Sequence, residues 1–272
     1  MRGFTKEYYG YMRLIFIRHG EPDYSCDGLT SKGQREAELL SKRVSKWDVD
    51  RFYVSPLGRA VATAKPTLDV MDRTAITLPW LREYSYPIIN PTHKNESVCW
   101  DFIPSDWANN PKMFTMTEWL DIDPASQNHE LKDMYYQITN GLDEIIGEYG
   151  YHRNGNYYIN SNPKMRKITS TVIDNSRHIG NELPNEDAGK TVVFFCHFGV
   201  TLLMLSHLLN IPFLALAHGT LIPTTGVTIV TSEERWNDEA YFRLQTLGDM
   251  HHLLSNNEPI SGAGSFAPLF QG

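Results

Sequence analysis

Short apolar runs alternate with stretches of helical period along most of the chain. Arg13-Leu14-Ile15-Phe16-Ile17 is nearly continuous in apolar residues, the pattern of a strand covered on both faces. It stops at Arg18-His19-Gly20-Glu21-Pro22. A helix is predicted to start near Thr30 or Ser31, with Ser31 and Gln34 as a capping box and Ala37, Leu40, Val44 and Trp47 at helical spacing. Arg51-Phe52-Tyr53-Val54 predicts a second strand that ends in Ser55-Pro56. Ala60, Ala64, Leu68 and Met71 then share one helical face, and Ile76-Thr77-Leu78 is a weaker third strand followed by Leu81-Arg82-Glu83. From about 85 to 125 the regularity is lost among prolines and the tryptophans Trp100, Trp107 and Trp119. Loops of that length are usually functional or carry hidden structure. Helical period returns over 127–149, through Leu131, Tyr135, Ile138, Leu142 and Ile145. Asn154-Gly155, between Tyr151 and Tyr157-Tyr158-Ile159, signals a two-residue hairpin, and a further helix is expected from about 163 to 181. Thr191-Val192-Val193-Phe194-Phe195 repeats the opening pattern and ends at Cys196-His197-Phe198-Gly199. A helix through Val200, Leu203, Met204, His207 and Leu208 follows, then closing strands at Gly226-Val227-Thr228-Ile229-Val230 and Tyr241-Phe242-Arg243-Leu244. Such alternation of strands and helices predicts an α/β layered sheet.

Composition narrows the partners. The chain has 272 residues, enough to bury a core without disulfides, and a net charge of −7. Duplex nucleic acid is not an expected partner, because it is bound by basic patches. A small phosphorylated substrate is compatible, since a local cluster of Arg and His binds phosphate within an acidic protein. Cys26, Cys99 and Cys196 form no C-x-x-C pair or disulfide framework, which points to a reducing, cytoplasmic setting. No apolar run approaches the roughly 18 residues that span a bilayer, so no membrane is expected. The first eight residues have no apolar signal-peptide core, and residues 1–11 are expected to be an N-terminal extension ahead of Met12.

The chemistry is expected where the strands end. Two of them deliver histidines, His19 and His197, at their carboxyl ends, the edge at which open α/β sheets bind ligands. The helix after His197 would turn its N-terminal amides toward an anion there. Arg18 and Arg59 offer planar cationic donors suited to phosphate oxygens, and Glu83, past the third strand, is placed to give a proton. A single strand-end histidine is usually structural. The joint pattern of two histidines, an arginine after Ser55-Pro56 and a carboxylate after a third strand is far harder to assign to chance.

Arg18-His19-Gly20-Glu21 resembles the signature of the histidine phosphatase superfamily, which includes the cofactor-dependent phosphoglycerate mutases. The likeness continues through Leu29-Thr30-Ser31-Lys32-Gly33, Ser55-Pro56-Leu57-Gly58-Arg59-Ala60 with Thr63-Ala64, Leu81-Arg82-Glu83, Cys196-His197-Phe198-Gly199 and Pro223-Thr224-Thr225-Gly226. It covers roughly 12–83 and 190–252. The resemblance implies that His19 attacks phosphorus and is transiently phosphorylated. Arg18, Arg59 and His197 then hold the phosphoryl oxygens, and Glu83 is the proton donor and later the base. It implies no metal and no cofactor. Ser25 stands where many relatives place a phosphate-touching Asn, and its hydroxyl is the corresponding candidate. The expected architecture is an α/β fold whose mostly parallel central sheet is flanked by helices on both faces, with an inserted cap. The main domain is expected over 12–252 with an insertion at about 85–185, followed by an irregular tail over 253–272.

Other residues are not promoted. His251-His252, read as neighbours on a strand, would point to opposite faces and chelate poorly. Cys196 is read as a small core residue, and His207 and His218 as packing residues in apolar surroundings. The tryptophans of the insertion are read as core first and ligand contacts second. Phosphomonoester hydrolysis is the leading expectation. A phosphoglycerate-mutase-type transfer is the alternative, weakened because Tyr84-Ser85-Tyr86-Pro87-Ile88 lacks the mutases' characteristic segment after the acid. A non-catalytic member that binds phosphorylated ligands is the third. The substrate and the oligomeric state are left open by the sequence.

Overall fold

The two most continuous apolar runs, 13–17 and 191–195, become neighbouring inner strands of the sheet. In the computed structural model, which describes residues 11–161, 189–234 and 238–272, β1 (Met12–Arg18) lies parallel to β10 (Lys190–Cys196). Both are buried along nearly their whole length, as strands covered on two faces must be. β4 (Arg51–Val54) and β5 (Ala75–Thr77) continue the parallel half beyond β10. On the other side of β1 the sheet turns antiparallel, through β11 (Val227–Glu234), β12 (Glu239–Asp249), β9 (Tyr157–Asn160) and β8 (Tyr151–Asn154). The order across the sheet is β5-β4-β10-β1-β11-β12-β9-β8, with only β11 and β9 running against the rest. The mostly parallel α/β sheet expected from the sequence is therefore present.

Period-2 alternation sends the side chains of β1 to two separate cores. Ile15 and Ile17 join Phe52, Val54, Val193 and Phe195 under α1 (Ser31–Val44) and α2 (Gly58–Met71). Leu14 and Phe16 join Val192 and Phe194 on the opposite face, under α4 (His129–Gly147), α5 (Phe198–Leu209) and α6 (Phe213–Gly219). The second core runs on without a break into the insertion, taking in Tyr84, Phe102, Met113, Trp119 and Leu120.

Several expectations are corrected in detail. Thr30, not Ser31, caps α1: its side chain accepts from the Gly33 amide at 3.0 Å, while Ser31 is already helical. The hairpin turn is Gly155-Asn156, one residue later than expected, because Asn154 pairs with Tyr157. Gly155 supplies the positive φ of 61° that such a turn needs. Between 85 and 125 the chain forms a two-strand ribbon, β6 (Pro87–Ile89) with β7 (Glu96–Val98), then a single turn α3 (Pro104–Trp107) and short 3₁₀ turns. A second small ribbon pairs β2 (Pro22–Asp23) with β3 (Gly28–Leu29). His251 and His252 begin a short helix, α7 (His251–Leu254), and are not on a strand; His252 is buried against the Thr225 hydroxyl at 3.0 Å. His207 is not in apolar surroundings: its Nε2 meets Asp143 at 2.9 Å, and Asp143 also accepts from Tyr158. The helix expected at 163–181 and most of the expected N-terminal extension lie outside the described residues. Among the described residues no helix is long and apolar enough to cross a membrane.

Candidate active site

Sheet register brings the polar cluster together. Arg18 is level with Cys196, so the next residue of each strand, His19 and His197, leaves the sheet beside the other. Their ring centroids are 5.1 Å apart. Phe195 is level with Val54, which brings Ser55 out alongside. The backbone after β1 is fixed from three sides: the His19 amide bonds Cys196 O, the Gly20 amide bonds the Thr63 hydroxyl, and the Thr225 amide lies 3.1 Å from both Arg18 O and His19 O.

His19 is buried, and its Nδ1 lies 2.7 Å from Gly20 O. A carbonyl accepts only, so Nδ1 carries the proton and Nε2 keeps its lone pair. Burial, reinforced by the charge of Arg18, lowers the His19 pKa to about 3, and the ring is neutral at physiological pH. His197 is also held neutral, first by burial and then by His19, Arg59 and Arg18. Its Nε2 is 2.7 Å from Ser55 Oγ, and that oxygen already accepts from the Leu57 amide. With the Ser55 proton directed to Nε2, His197 carries its own proton on Nδ1, which is buried with no partner among the described residues.

The two arginines are held differently. Arg18 is buried; its Nη1 donates to Ile222 O at 2.6 Å, its Nη2 faces Ala263 O at 3.5 Å, and its guanidinium lies over Phe198. Arg59 donates to Asp27, whose other oxygen accepts the Gly58 amide at 2.6 Å and so caps α2. Tyr24 covers Arg59 from the solvent side and is itself 73 % exposed. The Nε of each arginine has no partner among the described residues.

Glu83 Oε1 accepts from the Tyr84 amide at 2.9 Å and from the Val200 amide, in the first turn of α5, at 3.1 Å. The N-terminal turn of α5 therefore faces the Glu83 carboxyl group. The approach depends on Gly199, where a Cβ would lie 2.8 Å from the carboxylate. Burial raises the Glu83 pKa, with Arg18 opposing the shift. Trp100 stands next to it, its Nε1 fixed on Tyr84 O at 2.8 Å and its ring edge-on to Phe198.

Arg18, His19, Arg59, Glu83 and His197 thus share one electrostatic neighbourhood. Ser25 does not join them. It is exposed, and its hydroxyl is spent on Asp23 at 2.6 Å. Cys196 is buried against the Thr201 hydroxyl, and burial pushes its thiol up to about 12, as suits a core residue. The sequence reading missed Asp27 as the clamp on Arg59 and Ser55 as the partner of His197. It also missed Glu36, fully buried, which accepts from the Glu21 amide and the Thr224 hydroxyl and holds the turn after His19. Ser55 stood in a recognised motif, whereas nothing local marks Asp27 or Glu36. Among the described residues, no three His, Cys, Asp or Glu side chains are grouped as a metal site.

A 2,3-bisphosphoglycerate-dependent phosphoglycerate mutase of Thermoplasma acidophilum is 36 % identical over 73 residues, 23 % of this chain and 36 % of that protein. One from Mycobacterium bovis is 35 % identical over 98 residues, 31 % of this chain and 39 % of that protein. The chain thus spans less than half the length of these curated relatives. Among solved structures, a mycobacterial glucosyl-3-phosphoglycerate phosphatase superposes with a TM-score of 0.54 at 16 % identity, covering 88 % of this chain and 100 % of that one. A phosphoserine phosphatase from Entamoeba histolytica gives 0.52 at 18 %, covering 89 % and 99 %. At such identities the likeness speaks for the fold. The family model of the histidine phosphatase superfamily (branch 1) matches residues 14–151, just over half of the chain, and the chain belongs to that superfamily.

Proposed function

We propose that this chain is a metal-independent phosphomonoester hydrolase in which His19 is the nucleophile. The observation that carries the reading is the neutral His19, its Nδ1 proton fixed on Gly20 O, beside His197, two arginines and a carboxyl group of raised pKa. In the first step His19 Nε2 bonds to phosphorus as the P–O ester bond breaks, and the leaving oxygen takes the Glu83 proton. Arg18, Arg59 and the Nδ1–H of His197 hold the phosphoryl oxygens as charge redistributes, the main source of rate in phosphoryl transfer. In the second step Glu83, now a carboxylate, takes a proton from water. That water bonds to phosphorus, the P–N bond breaks, and inorganic phosphate leaves with His19 neutral again. Ser25 is not assigned a phosphate contact in this scheme.

The substrate is proposed to be a small phosphorylated metabolite. Residues 12–252 are read as one domain with an insertion at about 85–185, and the setting as cytoplasmic. Trp100, Phe198 and Tyr24 put aromatic surface around the cluster, which favours a leaving group with an apolar face.

The mutase names of the curated relatives supply a second reading, in which the phosphoryl group passes from His19 to another hydroxyl. Tyr84, directly after the acid, argues against it: it is fully buried, its hydroxyl donates to Leu131 O, and it offers nothing to a substrate. An assay of phosphate release from p-nitrophenyl phosphate and from phosphoglycerates, with and without chelator, separates the readings. Release of one phosphate per phenol supports the hydrolase. Conversion between phosphoglycerate isomers without release supports the mutase, and binding without turnover supports neither.

A further inference from the structure

The segment after α7 is tied across α1 and onto the turn that follows His19. Glu258 bridges two cations of α1, with Oε1 3.0 Å from Lys32 Nζ and 3.1 Å from Arg35 Nη2, and Oε2 3.1 Å from Arg35 Nε. Lys32 also donates to Pro259 O. Ser261 is buried, and its hydroxyl donates to Glu21 Oε2 at 2.5 Å and accepts the Ala263 amide at 3.1 Å. The other Glu21 oxygen accepts from the Thr30 hydroxyl, the cap of α1. Two residues beyond Ser261, the chain passes directly against the Arg18 guanidinium. Ala263 O faces Nη2 at 3.5 Å, and Gly264, at φ 78°, lies so close that a Cβ there would be 3.0 Å from the same nitrogen.

These contacts give Glu21 a task that the phosphoryl chemistry leaves undefined. They also mark a difference between the arginines. Arg59 is neutralised in part by Asp27. The hydrogen-bond partners of Arg18 are backbone carbonyls, Ile222 O and Ala263 O, which orient a guanidinium without cancelling its charge. We infer that residues 258–264 form a strap, locked by Ser261 on Glu21 and by Glu258 on α1, that positions Arg18 for the phosphoryl group. Glu258 and Ser261 are positioning residues: they act through the strap and do not touch the substrate. A loosened strap lets Arg18 swing, and the loss falls on the state in which phosphoryl charge must be met at a fixed place.

This inference rests on the phosphohydrolase reading, and the test separates the two. Wild type, Ser261→Ala and a chain ending at Asn257 are compared in kcat/KM for p-nitrophenyl phosphate, in inhibition by orthovanadate, and in thermal melting. Vanadate takes up the geometry of transferring phosphoryl, so its inhibition constant reports on Arg18, which a general loss of stability would leave unmoved. Ser261→Ala is expected to lower kcat/KM about tenfold and to weaken vanadate inhibition by a similar factor, in keeping with the loss of a hydrogen bond to an ionised group. The shortened chain is expected to lose more on both counts. A folded Ser261→Ala protein with wild-type kcat/KM and wild-type vanadate inhibition overturns the strap, whatever the shortened chain does. A wild type that neither turns over phosphate esters nor binds vanadate overturns the underlying reading instead.

Discussion

In the parallel half of the sheet, Arg18, His19, Ser55 and His197 stand at the ends of strands whose neighbours fix their height: Arg18 opposite Cys196, Ser55 one step beyond the Val54–Phe195 pair. Between residues 85 and 161 little of the backbone before the β8–β9 hairpin joins the main sheet. Position there is set by side chains packed into one core, with Trp119 wholly buried and Trp100 left at the edge of the cluster. A hydrogen-bonded register places atoms to a fraction of an ångström and tolerates little change. A packed cover keeps its fold through many surfaces. On the proposed function, the contrast assigns the reaction to the strand ends and the choice of substrate to the cover, and substitutions on the two sides should fail in different ways.

The largest effect is expected at the strand ends. His19→Ala should lower turnover of every substrate by roughly 10⁴–10⁶-fold, the scale on which loss of a nucleophile acts, while its melting temperature stays near that of the wild type. Retention of near wild-type activity would remove the nucleophile from the strand end and break the comparison at its root.

Glu83→Gln is expected next. An alkoxide needs a proton as the P–O bond breaks, and a nitrophenolate needs little help. Phosphoenzyme formation from an alkyl phosphate should therefore slow by about 10²–10⁴-fold, and from p-nitrophenyl phosphate far less. The pH dependence follows with its sign. Glu83 must be protonated to act as acid, and burial raises its pKa. The alkyl reaction should persist above the usual carboxylate range and fall as pH rises through that raised value. The acid limb is not set by His19, whose pKa of about 3 keeps it unprotonated throughout. Equal slowing for both leaving groups in single turnover would give Glu83 a binding role.

Trp100→Ala, on the cover, should act by redistribution. Discrimination between esters with and without an apolar ring should change by about 10- to 200-fold, the range that a pocket wall commands, with small alkyl phosphates nearly unaffected. A uniform loss for all substrates would show that the cover also serves the chemistry. The smallest expected effect is that of a strong chelator, which should leave kcat/KM within error, because Arg18, Arg59 and His197 supply the positive charge and hydrogen bonds. Activity lost to chelator and restored by a divalent ion would contradict this.

The same division decides what could be read in the sequence. A continuous apolar run that ends in Arg-His is visible because burial on both faces leaves no choice of residue type, and β1, β4 and β10 lie where the runs do. The cover is illegible because 3₁₀ turns and short ribbons have no long period, and α6 went unforeseen because its few apolar residues follow α5 closely. The five clustered residues were legible through their places at strand and helix ends. Ser25 misled because a hydroxyl two residues from Asp23 bonds locally before it can serve a distant site. Asp27, Glu36 and Ser261 were hidden for the opposite reason, as their partners lie far away in sequence or on another element.

The most direct test of the account is to quench the enzyme during turnover of a phosphate ester and locate the phosphoryl group. Glu83→Gln with p-nitrophenyl phosphate is the preferred form, because this leaving group needs little help from the acid while loss of the base slows release of the intermediate. The account predicts one phosphoryl group per chain, labile to acid and stable to base, on the peptide that contains His19. A phosphoryl group found on any other residue, or turnover with no covalent intermediate in either form, would contradict it.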